Sequence, residues 1–127
     1  MNRRHRVYIA GPYSANNVIS TLDNMRAGMR MASELLQTGM IAPFCPFVDH
    51  HFQLQLREGE SLSVEDYYQY SMAWLEVSDA VLFLPGWRES KGCITERERA
   101  FEIGIPSFHS KEELLKWFSM IERMKRY

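Results

Sequence analysis

Residues Ala80–Leu84 form an unbroken apolar run, Ala-Val-Leu-Phe-Leu, that Pro85-Gly86 ends. Such a run, without polar alternation, suits a short strand buried on both faces, as in a parallel sheet. Pro-Gly punctuates it and starts a turn. A polar loop follows, then Gly92, then a helical segment that closes at Gly104. Asp79–Gly104 therefore predicts a strand, a loop at its carboxyl end and a helix. In open α/β sheets the crevice outside the strands' carboxyl ends is where ligands bind.

Helical spacing within this segment singles out one side chain. Glu96, Ala100, Ile103 and Gly104 share the stripe predicted to face inward, while Glu98 and Glu102 share the opposite face. The pattern predicts a Glu96 in the first helical turn, facing the crevice, with the N–H groups of that turn favouring its anion. An inward carboxylate there reads either as a structural, capping or ion-paired Glu, or as a nucleophile or base. Cys93 in the same loop reads as a reactive thiol or as a small packing residue.

The rest of the chain repeats the strand–turn–helix theme. Val7–Ala10 predicts the first strand, and Gly11-Pro12-Tyr13-Ser14 breaks it. Ser14, Asn16 or Asn17 can cap the next helix. There Val18, Leu22, Met25, Met29, Ala32, Leu35 and Leu36 recur at helical steps up to Gly39. Met40-Ile41-Ala42 predicts a second strand that Pro43 ends, making a βαβ unit. Residues 43–61 are irregular, which in a compact domain points to a pocket-lining or mobile loop. Ser63 caps a helix carrying the aromatic stripe Tyr67, Tyr70 and Trp74, which reads as a surface for a base or as a core or subunit-interface stripe; Ile105–Phe108 is a last strand; Ser110 caps a last helix.

This order, β-α-β-loop-α-β-α-β-α, predicts a single domain over residues 1–127. Its fold class is α/β: a small doubly wound, flavodoxin- or Rossmann-like parallel sheet of four or five strands with helices on both faces. The turn after the first strand opens at the same edge as the Glu96 loop. Gly11 there lets the backbone approach a ligand, and Tyr13 reads as a pocket or a surface aromatic. Neither a G-x-G-x-x-G dinucleotide fingerprint nor a phosphate-binding P-loop is present.

The formal net charge of −1 over 127 residues creates no field for nucleic acid or a membrane surface. No apolar run reaches the roughly 18 residues of a membrane span, and no signal-peptide pattern opens the chain. Cys45 and Cys93 make no redox or metal motif and are expected as reduced thiols in a cytoplasmic protein. Asp49-His50-His51 invites a metal reading. Adjacent residues do not share a face and no companion cluster appears, so no metal site is expected.

Taken together, strand-Ala10-Gly11-Pro12-Tyr13, then Ser78-Asp79-Ala80-Val81-Leu82, Leu84-Pro85-Gly86-Trp87, Ser90-x-Gly92 and Glu96 with Ala100 and Gly104, resemble the nucleoside 2-deoxyribosyltransferase-like superfamily. The small bacterial and phage members look nearest, and the deoxynucleoside 5′-monophosphate N-glycosidases are more distantly similar. The resemblance covers nearly the whole chain except the loop 43–61 and the last helix. It implies that Glu96 is the nucleophile towards the anomeric carbon of a deoxyribose. It implies that Ser90 and Gly92 hold the 5′ side of the ligand, with Lys91 and Arg88 nearby, and that Gly11 and Tyr13 line the pocket. It further implies N-glycosyl transfer or hydrolysis with no metal or organic cofactor, in a homodimer or larger homo-oligomer; the stripe on the Tyr67 helix is a candidate interface. One position departs: eight residues before Asp79, active members usually carry an Asp, and here it is Ser71. Asp49, Asp66 or a water is expected to replace that acid, or else the domain binds and senses a nucleotide without turning it over.

Overall fold

The computed structural model describes residues 3–47 and 51–125. Four strands form one parallel sheet: β1 (His5–Ala10), β2 (Ile41–Phe44), β3 (Ala80–Phe83) and β4 (Ser107–Phe108), in the order β2-β1-β3-β4. Five helices accompany it: α1 (Val18–Gln37), the single turn α2 (His51–Leu54), α3 (Val64–Leu75), α4 (Lys91–Glu102) and α5 (Lys111–Met124). The α/β class and parallel sheet are those the sequence predicts.

Local chemistry sets the helix limits. Asn17 caps α1, its side chain accepting from the Ser20 N–H at 2.8 Å, and Gly39 follows the helix with φ 81°, a conformation glycine adopts without penalty. Ser63 and Asp66 form a reciprocal capping box at α3. Ser110 caps α5 by accepting from the Glu113 N–H at 3.1 Å.

Side-chain alternation along β1 then assigns the layers. Val7 and Ile9 join Leu82, Leu84, Leu35, Leu114 and Phe118 in a core between the sheet and α1 and α5. Tyr8 and Ala10 join Val81, Phe83, Leu75, Cys93 and Ala100 in a core against α3 and α4. Each fully buried aliphatic side chain contributes about 1.5–3 kcal/mol of burial free energy. Helices thus cover both faces, which is why β3 carries no polar residue.

From β1 the chain steps outward to β2, then crosses back to place β3 on the other side of β1. The strand order reverses between β1 and β3, so their carboxyl ends diverge into a crevice at that point. Gly11 leaves β1 and Pro85-Gly86 follows β3 there.

Three boundaries differ from expectation. β2 runs through Pro43 to Phe44. It is an edge strand, where a proline's missing N–H is tolerated. α4 starts at Lys91, with Ser90 as its N-cap, so Gly92 is inside the first turn instead of before it. Ile103 lies past the end of that helix and is 37% exposed, so the inward stripe of α4 is Cys93, Glu96 and Ala100. No helix among the described residues is long and apolar enough to cross a membrane.

Candidate functional site

A cavity of about 910 Å³ opens at the β1/β3 switch point. That is in the size range of small-molecule sites. Gly11, Tyr13, Ser71, Ser90, Gly92 and Glu96 all line it, so three separate segments of the sequence meet in one place.

Glu96 projects from the second turn of α4 toward β1. The Tyr8 hydroxyl donates a short hydrogen bond to Glu96 Oε2. The Ser71 hydroxyl in turn hydrogen-bonds to Tyr8, so Ser71, Tyr8 and Glu96 form a chain across the pocket floor. Tyr8 is fully buried, and burial and the neighbouring Glu96 charge push its phenol well above the usual tyrosine value. It therefore stays protonated and acts as a donor.

Burial pushes the Glu96 carboxyl up to about 7, against the opposing effect of the Tyr8 hydrogen bond. This corrects the expectation of a fully ionised Glu96. The residue lies one turn beyond the free N–H groups of the helix start, so the stabilisation they give an anion fades before reaching it. Desolvation decides instead. The carboxyl is poised to be an anion or an acid around neutral pH.

The neighbouring thiol is not so poised. Cys93 is buried, and burial with the nearby Glu96 pushes it up to about 11, although Ser90 opposes the shift. It is a neutral packing group, not a reactive thiolate. Cys45 is also a free, buried cysteine.

The two glycines of the site differ in kind. A Cβ on Gly11 would meet Leu84 Cδ1 at 2.9 Å, so packing inside the chain already demands glycine there. A Cβ on Gly92 would meet nothing nearer than Ser90 Oγ at 3.8 Å. Glycine in a helix disfavours folding by about 0.5–1 kcal/mol relative to alanine, and no contact of this chain offsets that at Gly92. Gly92 lines the cavity, so its missing side chain leaves that side of the pocket open. Ser90 serves the fold directly: its Oγ accepts from the Cys93 N–H at 3.3 Å.

Several other expected members are placed elsewhere. Asp66 does not substitute for the acid absent at Ser71. Its carboxylate accepts from the Ser63 N–H at 2.7 Å and is held below the usual range by that cap, in solvent. Asp49 and His50 lie outside the described residues. Among the described residues no three His, Cys, Asp or Glu side chains converge as a metal-binding group. Lys91 lines the pocket, whereas the Arg88 guanidinium lies over the Trp87 ring, 5.3 Å from its centroid.

The aromatic stripe of α3 divides. Tyr70 and Trp74 pack against Phe44, with centroids 6.1 and 5.3 Å away, and Trp74 remains 46% exposed. Tyr67 lines the pocket instead. Sequence reasoning missed Tyr8. The available signal was a tyrosine in the otherwise aliphatic run Val7–Ala10, where a buried hydroxyl requires a partner.

Residues 5–108 match the family described as "Domain of unknown function (DUF4406)". The chain belongs to this family. The DUF4406 match runs from β1 to β4 and so includes all the pocket residues named above, while α5 lies beyond it. No curated protein matches the chain. A solved structure, a conserved protein from Enterococcus faecalis V583, is similar to it at 17% identity and a TM-score of 0.61. The similarity covers 83% of this DUF4406 chain and 62% of that protein, so this chain spans about three-fifths of that protein's length. At that identity the likeness is one of fold.

Proposed function

We propose that the protein is a nucleoside 2-deoxyribosyltransferase-like enzyme. It cleaves the N-glycosidic bond of a deoxynucleoside or deoxynucleoside 5′-monophosphate through a covalent glycosyl-Glu96 intermediate. The observation that carries this reading is the pairing of a partly buried Glu96 with Tyr8 on the floor of a ligand-sized cavity at the strand-order reversal.

In the first step a Glu96 carboxylate oxygen bonds to C1′ as the C1′–N bond breaks, and the electron pair leaves with the base. Tyr8 donates to Oε2, which holds the carboxylate in one orientation and leaves Oε1 for attack. In the second step water, or a second base, attacks C1′ and frees Glu96. With water, the proton it loses balances the one the departed base gains. Two displacements at C1′ retain configuration, as in retaining glycosidases. Lys91 and the start of α4, beside Gly92, form the polar end of the pocket and suit a 5′-phosphate.

Ser71 favours a second reading, a nucleotide-binding sensor without turnover. No carboxyl group replaces it among the described pocket residues apart from Glu96 itself. A base-release assay over deoxynucleosides and their 5′-monophosphates, with and without an acceptor base, separates the two. The enzyme reading expects free base, with a rate that climbs as pH rises through about 7, where Glu96 ionises. Binding without base release at any pH supports the sensor and sinks the enzyme. The same preparation is expected to sediment as a homodimer or larger, given exposed Trp74 on α3 and Phe101, 86% exposed, on α4; a monomer at micromolar concentration contradicts that.

A further inference from the structure

Among the described residues, the Tyr67 hydroxyl is the buried side-chain polar atom that has no hydrogen-bond partner. Native structures rarely leave such a group unsatisfied, and those that do hold it for something. The contrast with Tyr8 is direct. Both phenols line the same cavity, yet Tyr8 is bonded to Glu96 and Ser71 while Tyr67 is bonded to nothing.

Position says what Tyr67 meets. Tyr67 and Ser71 are four residues apart on α3, so they share a face, about 6 Å apart along the axis. Ser71 belongs to the chain that ends on Glu96. Tyr67 therefore lies one helical turn from the Ser71 end of that chain, in the same cavity as Glu96. The lining also includes the apolar Pro46, Phe47, Val64 and Met72, with Gln53 and Tyr68, whereas Ser90, Lys91 and Gly92 come from the start of α4. Flat apolar walls suit a planar heterocycle, and a single polar group among them fixes which heterocycle is accepted.

We propose that Tyr67 is the specificity-determining residue of this pocket, its hydroxyl donating a hydrogen bond to an exocyclic oxygen on the edge of the leaving heterocycle. The inference rests on the N-glycoside reading of the site. A base that presents an exocyclic oxygen there satisfies the hydroxyl. A base that lacks one leaves it buried and unpaired, which is how a polar group in an apolar pocket discriminates.

The test is Tyr67→Phe, which removes the oxygen alone. Calorimetry with matched free bases, hypoxanthine against purine and 2-pyrimidinone against pyrimidine, reads recognition without turnover. Wild type is expected to prefer the oxo member of at least one pair by about tenfold or more. Tyr67→Phe is expected to abolish that preference and bind the other member unchanged. Without ligand, the variant is expected to melt at the same temperature as wild type or higher, because it loses an unsatisfied group. A lower melting temperature means the hydroxyl has a partner within the folded protein and overturns the proposal. So does an unchanged preference, or a wild type that binds none of the bases. Tyr67-dependent base preference without base release from any nucleoside sinks the enzymatic reading and leaves this inference standing. Base release with preference unchanged in Tyr67→Phe sinks this inference alone.

Discussion

Val7 and Ile9 face α1 and α5, while Tyr8 and Ala10, on the same strand, face α3 and α4. On the first side every neighbour is complementary: aliphatic side chains meet Leu114 and Phe118, and His5 stacks on Phe118 at 4.2 Å while its Nε2 lies 2.7 Å from Glu122 Oε1. On the second side a buried core is also present, but the fit around the cavity is imperfect. Glu96 is pushed toward neutrality by burial, the Tyr67 hydroxyl lacks a partner, and Gly92 sits in a helix with open space over it. Both faces bury a core, but the second also gives up stability around a cavity. Functional sites are where local rules are broken and compensated elsewhere. The contrast argues that the α3–α4 side awaits a ligand.

Substitutions on the two sides should therefore move stability in opposite directions. The largest effect is expected on the well-packed side. Phe118→Ala should destabilise by about 3–5 kcal/mol in denaturant unfolding, since it leaves a cavity under α5. A loss below about 1 kcal/mol would mean that this side is not the well-packed one.

Glu96→Gln tests the other side. The folded carboxyl titrates at about 7 against its ordinary 4.5, so between those values the native state holds more protons than the unfolded one. Stability then falls as pH rises from about 4.5 to 7 and stays lowered above. Raising the carboxyl from its ordinary 4.5 to about 7 corresponds to about 3 kcal/mol. Gln keeps an acceptor for Tyr8 and carries no charge to desolvate. The variant should gain about 3 kcal/mol over wild type at pH 8 and little at pH 4. An equal gain at both pH values, or none at either, would contradict a desolvated carboxylate.

The smallest effect concerns Gly92. Gly92→Ala should stabilise the unliganded protein by about 0.5–1 kcal/mol, because alanine is the better helix former and finds no clash. It should also weaken nucleotide binding in calorimetry. A stabilised variant that binds as tightly as wild type would show that nothing approaches Gly92.

Much of the fold was legible because periodicity and punctuation report on it directly. The apolar run Ala80–Leu84, the helical spacing of α1 and the caps Ser63 and Ser110 each depend on near neighbours in sequence. The convergence of Gly11, Tyr13, Ser71, Ser90, Gly92 and Glu96 was legible through the strand order and the family resemblance. What stayed hidden depends on contacts between distant residues. Tyr8 meets Glu96 across 88 positions of sequence, so neither its hydrogen bond nor the raised carboxyl shows in any window of the chain. α4 starts two residues earlier than expected, which takes Glu96 out of the first turn, and burial then raises its carboxyl to about 7. The division of the α3 stripe, Tyr67 to the pocket and Trp74 to Phe44, follows from where the edge strand places Phe44.

The central claim is that Glu96 becomes covalently bonded to the sugar, and trapping that species tests it most directly. The protein is incubated with 2′-deoxy-2′-fluoro nucleosides and their 5′-monophosphates, whose fluorine destabilises the oxocarbenium-like transition states and slows breakdown of any adduct formed. It is then digested and its peptides are weighed by mass spectrometry. The account predicts a peptide containing Glu96 heavier by one fluorosugar, with fragmentation placing the mass on Glu96, and no adduct in Glu96→Gln. Base release from ordinary substrates should fall in that variant by several orders of magnitude, as losses of nucleophiles commonly do. An adduct on another residue, or wild-type turnover by Glu96→Gln, would contradict the account and leave Glu96 a structural carboxyl.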